Sequence, residues 1–199
     1  GVSVVGLSLN PILFSGEALL EALQKGGVQV KRGARVRRGE LPKPEARRAL
    51  LTHRSEPLRS LLHDINTYSN NCMAEQLLLT LGLHQRGFGG WREGVSEVRD
   101  QLKRRFKLKG FKYVNGSGLF GDAAFSPQQL TELLWRANKL TRGGFADVLP
   151  KSGREGTIKR RFKALPKGAV RAKTGTLDGV STLCGYLQSR AADKLTFCV

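Results

Sequence analysis

The run Arg171-Ala172-Lys173-Thr174-Gly175-Thr176-Leu177 leads into Asp178-Gly179, a dipeptide typical of tight hairpin turns, and then into Val180. Val180 to Leu187 reads as the returning strand. Together with a third segment, the pattern predicts strands around residues 169–176, 180–188 and 194–199, joined by short turns and therefore paired antiparallel. Strand alternation places Lys173 and Gly175 on one face and Thr174 and Thr176 on the other. Lys173 supplies a positive charge and the two threonines supply hydroxyls suited to an anion. Gly175, lacking a side chain, lets a ligand's backbone lie against the strand. All four serve one ligand only if it lies along the sheet edge. Taken alone, the stretch reads equally well as a hairpin without chemistry.

Composition limits the class of protein. The 199 residues include 40% hydrophobic and 25% charged residues, ordinary for a globular chain long enough to bury a core. The charge balance is not ordinary: 34 Lys+Arg against 16 acids give a formal net charge of +18. Such a surface attracts polyanions, whether nucleic acid, anionic lipid or acidic wall polymers. The excess is bunched in Lys31-Arg32, Arg35 and Arg37-Arg38, in Lys103-Arg104-Arg105, and in Lys159-Arg160-Arg161. These runs read first as solvated faces; no interleaved aromatics or recognition element marks a nucleic-acid protein. Cys72, Cys184 and Cys198 form no C-x-x-C pair, and His53, His63 and His84 are not spaced as ligands, so neither a metal site nor a cofactor is expected. Cys184 and Cys198 face each other if the last two strands pair; a disulfide there is open. No run reaches the length of a membrane span. With no signal-peptide pattern, any targeting segment is expected to lie outside the sequence or to have been removed.

Asn10-Pro11 predicts a helix start, with Gly26-Gly27 as its end. Val28–Val30 and Ala49–Thr52 read as short strands on either side of a basic, Gly- and Pro-rich connection through Pro44. A helix from Ser55-Glu56-Pro57 carries Leu58, Leu61, Leu62 and Ile65 on one side and is expected to stop at the polar knot Asn66-Thr67-Tyr68-Ser69-Asn70-Asn71. An apolar helix is predicted over Cys72–Leu81, ending near Gly82, and an amphipathic one through Trp91, Val95, Val98 and Leu102. Lys112–Val114 is a strand candidate before the turn-rich Asn115-Gly116-Ser117-Gly118-Leu119. Ser126-Pro127-Gln128-Gln129 is a capping box opening a helix that ends before Gly143-Gly144, and Leu149 to Gly156 is a loop. Helices preceding an antiparallel sheet make this an α+β chain.

Ser69-Asn70-Asn71 serves equally as a helix N-cap, and Ser8-Leu9-Asn10 has the same pattern. The later copy differs in its setting, because three polar side chains between two apolar helices must close on themselves or face a cleft. Ser69-Asn70-Asn71 before Met73-Ala74-Glu75-Gln76-Leu77-Leu78 resembles the S-x-N turn of serine DD-peptidases. Arg171 to Leu177 resembles their K-T-G strand. Asn115 to Leu119, and Leu149-Pro150 through Gly156-Thr157 to Arg161-Phe162, are similar to segments of the D-alanyl-D-alanine carboxypeptidase/endopeptidase family, the class C low-molecular-mass penicillin-binding proteins. Asn115 stands where that family more often has Asp. The likeness runs in the family's order from about Asn10 to the end.

The resemblance implies part of the serine β-lactamase/DD-peptidase fold and acyl transfer on peptidoglycan peptides ending in D-Ala-D-Ala, with β-lactams as ligands and the periplasm or cell envelope as location. It implies that Ser69 relays a proton and that Asn71 binds the substrate amide and steadies a catalytic lysine. Lys173 would hold the Ser69 hydroxyl, Thr174 and Thr176 would bind the terminal carboxylate beside Gly175, and the Thr176 N–H would be an oxyanion donor. One departure is large: no serine here has lysine three residues on, so the S-x-x-K nucleophile is absent. In the family that motif lies upstream, so residues 1–199 are expected to be the carboxyl-terminal part of a DD-peptidase-like domain, inactive alone and prone to self-association through bared apolar faces. The alternatives are a non-catalytic wall-binding module and, less favoured, a basic nucleic-acid binder.

Overall fold

A computed structural model of the chain describes residues 10–39, 43, 48–49, 51–189 and 194–199. Two compact units emerge, Gly1–Arg54 and Ser55–Val199. In the first, α1 spans Pro11–Lys25; the Asn10 side chain accepts from the Leu13 N–H, so the expected cap is present. Val28–Val30 is not a strand, and neither are the described residues of Ala49–Thr52. Short β-rich triplets need a partner strand, and none is described there. Leu50, Ser8, Leu9 and most of the basic connection near Pro44 lie outside the described residues.

The second unit is α+β, with helices against a three-stranded antiparallel sheet of order β1-β2-β3: Val170–Leu177, Val180–Gln188 and Lys194–Cys198. The two-residue turn Asp178-Gly179 sets the register, pairing Leu177 with Val180 and Lys173 with Cys184. Cys184 and Cys198 are register partners and form a disulfide. One face of the sheet carries Val170 and Ala172, packed with Ile158, Phe162, Leu183 and Phe197. The other carries Tyr186, packed with Leu149, Ala146, Leu134 and Phe145. These last residues come from α5 (Pro127–Leu140), the short α6 (Gly144–Asp147) and the segment after it. The Tyr186 hydroxyl donates to the Leu134 carbonyl at 2.6 Å and fixes α5 over the sheet. The Ser126 capping box forms as expected.

Within this unit three helices precede α5. α2 covers Leu58–Tyr68, α3 Asn71–Arg86 and α4 Trp91–Arg104. The polar knot is shorter than its sequence suggests. Asn66, Thr67 and Tyr68 remain helical because Asn66 bonds back to Leu62 O (2.9 Å) and Thr67 is buried. Gly82 does not end α3, which runs on to a left-handed Gly87 cap. Gly82 is instead where α4 crosses. A Cβ on Gly82 would lie 2.8 Å from the Gly94 nitrogen, and one on Gly94 2.5 Å from the Leu78 carbonyl oxygen. The strand candidate Lys112–Val114 reduces to a single bridge, Lys112 to Ala124.

The crossing yields a sign test. Helix propensity alone favours Gly82→Ala by about 1 kcal/mol, but the clash is with backbone, which cannot swing aside. Gly82→Ala is expected to destabilise the chain by about 1–3 kcal/mol in urea unfolding, as overpacking does; a gain in stability would refute the close crossing.

Candidate active site

Sequence expectation set two remote segments on one groove, and geometry shows where each lies. α2 is seated against the segment that follows α6. Asn66 Nδ2 donates to Val148 O at 3.0 Å. Gly156, at φ +61°, comes so near α2 that a Cβ there would sit 2.8 Å from Thr67 O. Asp147 receives Arg59 of α2 (2.7 Å) and Arg171 of β1. Burial alone would raise the Asp147 pKa, but the hydrogen bonds and charges of Arg171 and Arg59 outweigh it and hold the carboxyl below its usual value. One carboxylate thus ties α2 and β1 together.

The end of α2 therefore falls beside β1. Lys173 Nζ donates to Ser69 Oγ at 2.8 Å, across 104 positions of sequence, and to Thr174 O at 2.6 Å. Ser69 closes α2 in the left-handed region (φ 55°, ψ 47°), where glycine is usual. Asn70 follows in extended conformation and caps α3, its Oδ1 accepting from Met73 N at 3.0 Å, and Asn71 is the first residue of α3. Two helices reverse here within two residues, and the reversal presents the Ser69 hydroxyl to the lysine. Burial lowers the Lys173 pKa by disfavouring its charged form.

A cleft of about 610 Å³ opens at this point, lined by Ser69, Asn70 and Asn71, by Lys173 to Thr176, and by the Gly116–Leu119 turn. Its deeper wall is apolar, with Leu133 and Leu134 from α5 and Leu149. All six expected site residues thus border one hollow, although they differ in exposure. Thr176 is exposed, whereas Thr174 is buried with its hydroxyl 2.7 Å from that of Thr157. At Gly175 a Cβ would meet the Thr182 hydroxyl at 2.5 Å, so packing within the sheet already favours glycine there. β1 is, with β3, an edge strand of the sheet among the described residues. The Ala172 N–H points off the sheet to Pro150 O (3.2 Å), and by alternation those of Thr174 and Thr176 turn the same way, along the cleft.

The sequence reading gave no structural role to several residues of this framework. Glu75 accepts from Gly116 N (3.2 Å), Ser117 N (2.8 Å) and Trp91 Nε1 (3.0 Å), pinning the cleft's 116–119 wall to α3. Burial would raise its pKa, but the hydrogen bonds from Ser117, Trp91 and Gly116 prevail and lower it. Asn115 accepts from Gly118 N at 2.6 Å and donates to Phe120 O, the second of which an aspartate cannot do. Thr157, Asp147 and Glu75 carry no local signal, since their partners are 16 to 88 residues away. Among the described residues, no group of three His, Cys, Asp or Glu is placed to hold a metal, and no helix is long and apolar enough to cross a membrane.

Residues 3–199 match the D-Ala-D-Ala carboxypeptidase 3 (S13) family. The chain belongs to that family. It is 31% identical over 187 residues to the D-alanyl-D-alanine carboxypeptidase of Actinomadura sp., a match covering 89% of this chain and 34% of that protein. It is 29% identical over 199 residues to carboxypeptidase DacB of Mycolicibacterium smegmatis, covering 96% of the chain and 42% of the relative. The chain therefore spans between a third and a half of the length of these relatives. Penicillin-binding protein 4 (DacB) of Haemophilus influenzae, solved with a β-lactam, shares the fold at a TM-score of 0.76 and 23% identity, over 97% of this chain and 45% of that one.

Two outcomes test the site's construction. Replacing Ser69 by Gly relieves the left-handed backbone and Ser69→Ala does not, so the Gly variant is expected to be the more stable of the two by about 1 kcal/mol in urea unfolding. Equal stabilities would contradict the backbone geometry. Lys173 has a lowered folded-state pKa, so its burial penalty is fully present below that value and fades as pH rises towards the unfolded value of about 10.4. Relative to Lys173→Met, the unaltered chain is expected to gain melting temperature on going from pH 7 to pH 10.5. A flat difference would rule out a buried, charged Lys173.

Proposed function

We propose that this chain is the carboxyl-terminal part of a serine-type D-Ala-D-Ala carboxypeptidase or endopeptidase domain that acts on peptidoglycan stem peptides by acyl transfer in the cell envelope. The observation that carries the proposal is the 2.8 Å contact between Lys173 Nζ and Ser69 Oγ at the mouth of the cleft. A protonated amine donating to a hydroxyl orients that hydroxyl's own proton outward, towards whatever occupies the groove. Ser69 then relays a proton to the leaving amine, while Lys173 keeps the local field positive for a substrate that ends in a carboxylate. The substrate lies along the outer edge of β1 as an added strand. The Thr176 N–H stabilises the oxyanion, the Thr176 hydroxyl binds the carboxylate, and Thr174, buttressed by Thr157, supports it. Asn71 binds the substrate amide and steadies the lysine of the missing S-x-x-K motif.

The nucleophile is the piece this sequence lacks, and the relatives' greater length is consistent with a separate segment supplying it. Loss of the nucleophile costs several powers of ten in rate, so the isolated chain is inactive in this reading. The absent motif also favours a second reading, a non-catalytic module that holds D-Ala-D-Ala peptides in the same cleft.

Fluorescent penicillin separates the two. The chain on its own is expected to show no covalent band after denaturing electrophoresis; a band would overturn the proposed inactivity. The full-length protein is expected to show one, and Ser69→Ala in that protein is expected to lower carboxypeptidase kcat about 10²–10⁴-fold. A full-length protein that binds D-Ala-D-Ala peptides yet never labels would establish the binding module instead.

A further inference from the structure

We propose that a second site, a basic groove between the Ser152-Gly153 turn and residues 159–167, binds a linear phosphate-bearing polyanion without bases. The groove encloses about 270 Å³ and is lined by Lys159, Arg160, Arg161, Lys163 and Lys167. It shares no lining residue with the cleft at Ser69. Among the described residues none of these five cations has an ion-pair partner, while Arg59, Arg86, Arg136 and Arg171 are all paired with acids. No acid among the described residues lines the groove, and the two acids nearest to it in sequence, Asp147 and Glu155, pair with Arg59 and Arg171 and lie beside His63 respectively.

The backbone beneath the charges is fixed. Arg161 N bonds Ile158 O (3.0 Å), Leu165 N bonds Phe162 O (3.0 Å) and Gly168 N bonds Ser152 O (2.8 Å). Phe162, turned by a left-handed φ of 58°, packs on the cluster of Ile158, Val170 and Ala172. A run of like charge held on a rigid frame gathers counterions and releases them when a polyanion arrives, which is the source of salt-dependent affinity. A phosphate presents its oxygens tetrahedrally, so guanidinium forks and ammonium groups approaching from different parts of a concave wall each find an acceptor. Nucleic acid fits less well. Single-strand binders stack bases on exposed aromatics, and Phe162, the aromatic lining this groove, is committed to the core.

The site is independent of the peptidase reading and stands or falls without it. The test measures binding of fluorescently labelled inorganic polyphosphate to the purified chain, with oligodeoxythymidine and poly-glutamate of matched charge as competitors. Arg160→Gln/Arg161→Gln/Lys163→Gln is compared with Lys103→Gln/Arg104→Gln/Arg105→Gln, which removes the same charge elsewhere; circular dichroism checks that both fold. Wild-type affinity is expected to fall about 100-fold between 50 and 200 mM salt. The groove triple is expected to weaken binding at least about tenfold and reduce the salt slope by about two to three, with the control triple changing affinity less than about threefold. Equal losses from the two triples would show diffuse attraction and no site. Tighter competition by oligodeoxythymidine would make the occupant a nucleic acid, and equal competition by poly-glutamate would remove the preference for phosphate; either result overturns the proposal.

Discussion

The close seating of α2 on the segment 147–157 is the constraint from which the site follows. Gly156 can approach Thr67 O only because it has no Cβ. Asn66, the residue before Thr67, reaches the Val148 carbonyl, and Asp147 binds a cation from α2 and one from β1. With those contacts made, the end of α2 has little choice of position. Ser69 arrives beside Lys173 because the helix is docked, and the hydrogen bond between them reports that docking.

Polar groups in this region are satisfied by the framework first and left to a ligand second. Thr174 shares its hydroxyl with Thr157, and Glu75 and Asn115 both spend their oxygens on the backbone of the 116–118 turn. What remains at the cleft among the described residues includes the Ser69 hydroxyl, the Asn71 amide, the Thr176 hydroxyl, the open edge of β1 and one partly desolvated ammonium. Each sits on an element whose geometry is fixed from behind, which is what a site needs if its groups are to act together. The left-handed backbone of Ser69 belongs to the same economy, since a glycine would make the turn more easily but would bring no hydroxyl to Lys173.

Errors in the element assignment share a cause. Gly82 looked like a helix end because glycine is a poor helix former, yet tertiary packing uses its missing side chain to admit α4. Asn66 to Tyr68 looked like a break because their side chains are polar, but Asn66 has two acceptors and Thr67 is buried. Lys112–Val114 has strand-like residues and no strand to pair with beyond one bridge. In each case the surroundings, through a contact made or a pairing strand missing, outweighed the preference read from residue type.

Sequence by itself determined what local chemistry can determine: the caps at Asn10 and Ser126, the Asp178-Gly179 hairpin and the antiparallel run of the last three strands. It also carried the ordered motifs at Ser69, Asn115 and Lys173 that pointed to the family. Tertiary structure alone decided that Ser69 and Lys173 touch, that Thr174 faces inward to Thr157 while Thr176 stays exposed, that Cys184 pairs with Cys198, and that the 159–167 cations surround a groove and are not spread over a flat face. The reason is physical. Caps, turns and alternation are set by neighbours within a few residues, whereas a cleft is a relation between surfaces whose separation depends on how helices of particular side chains fit together.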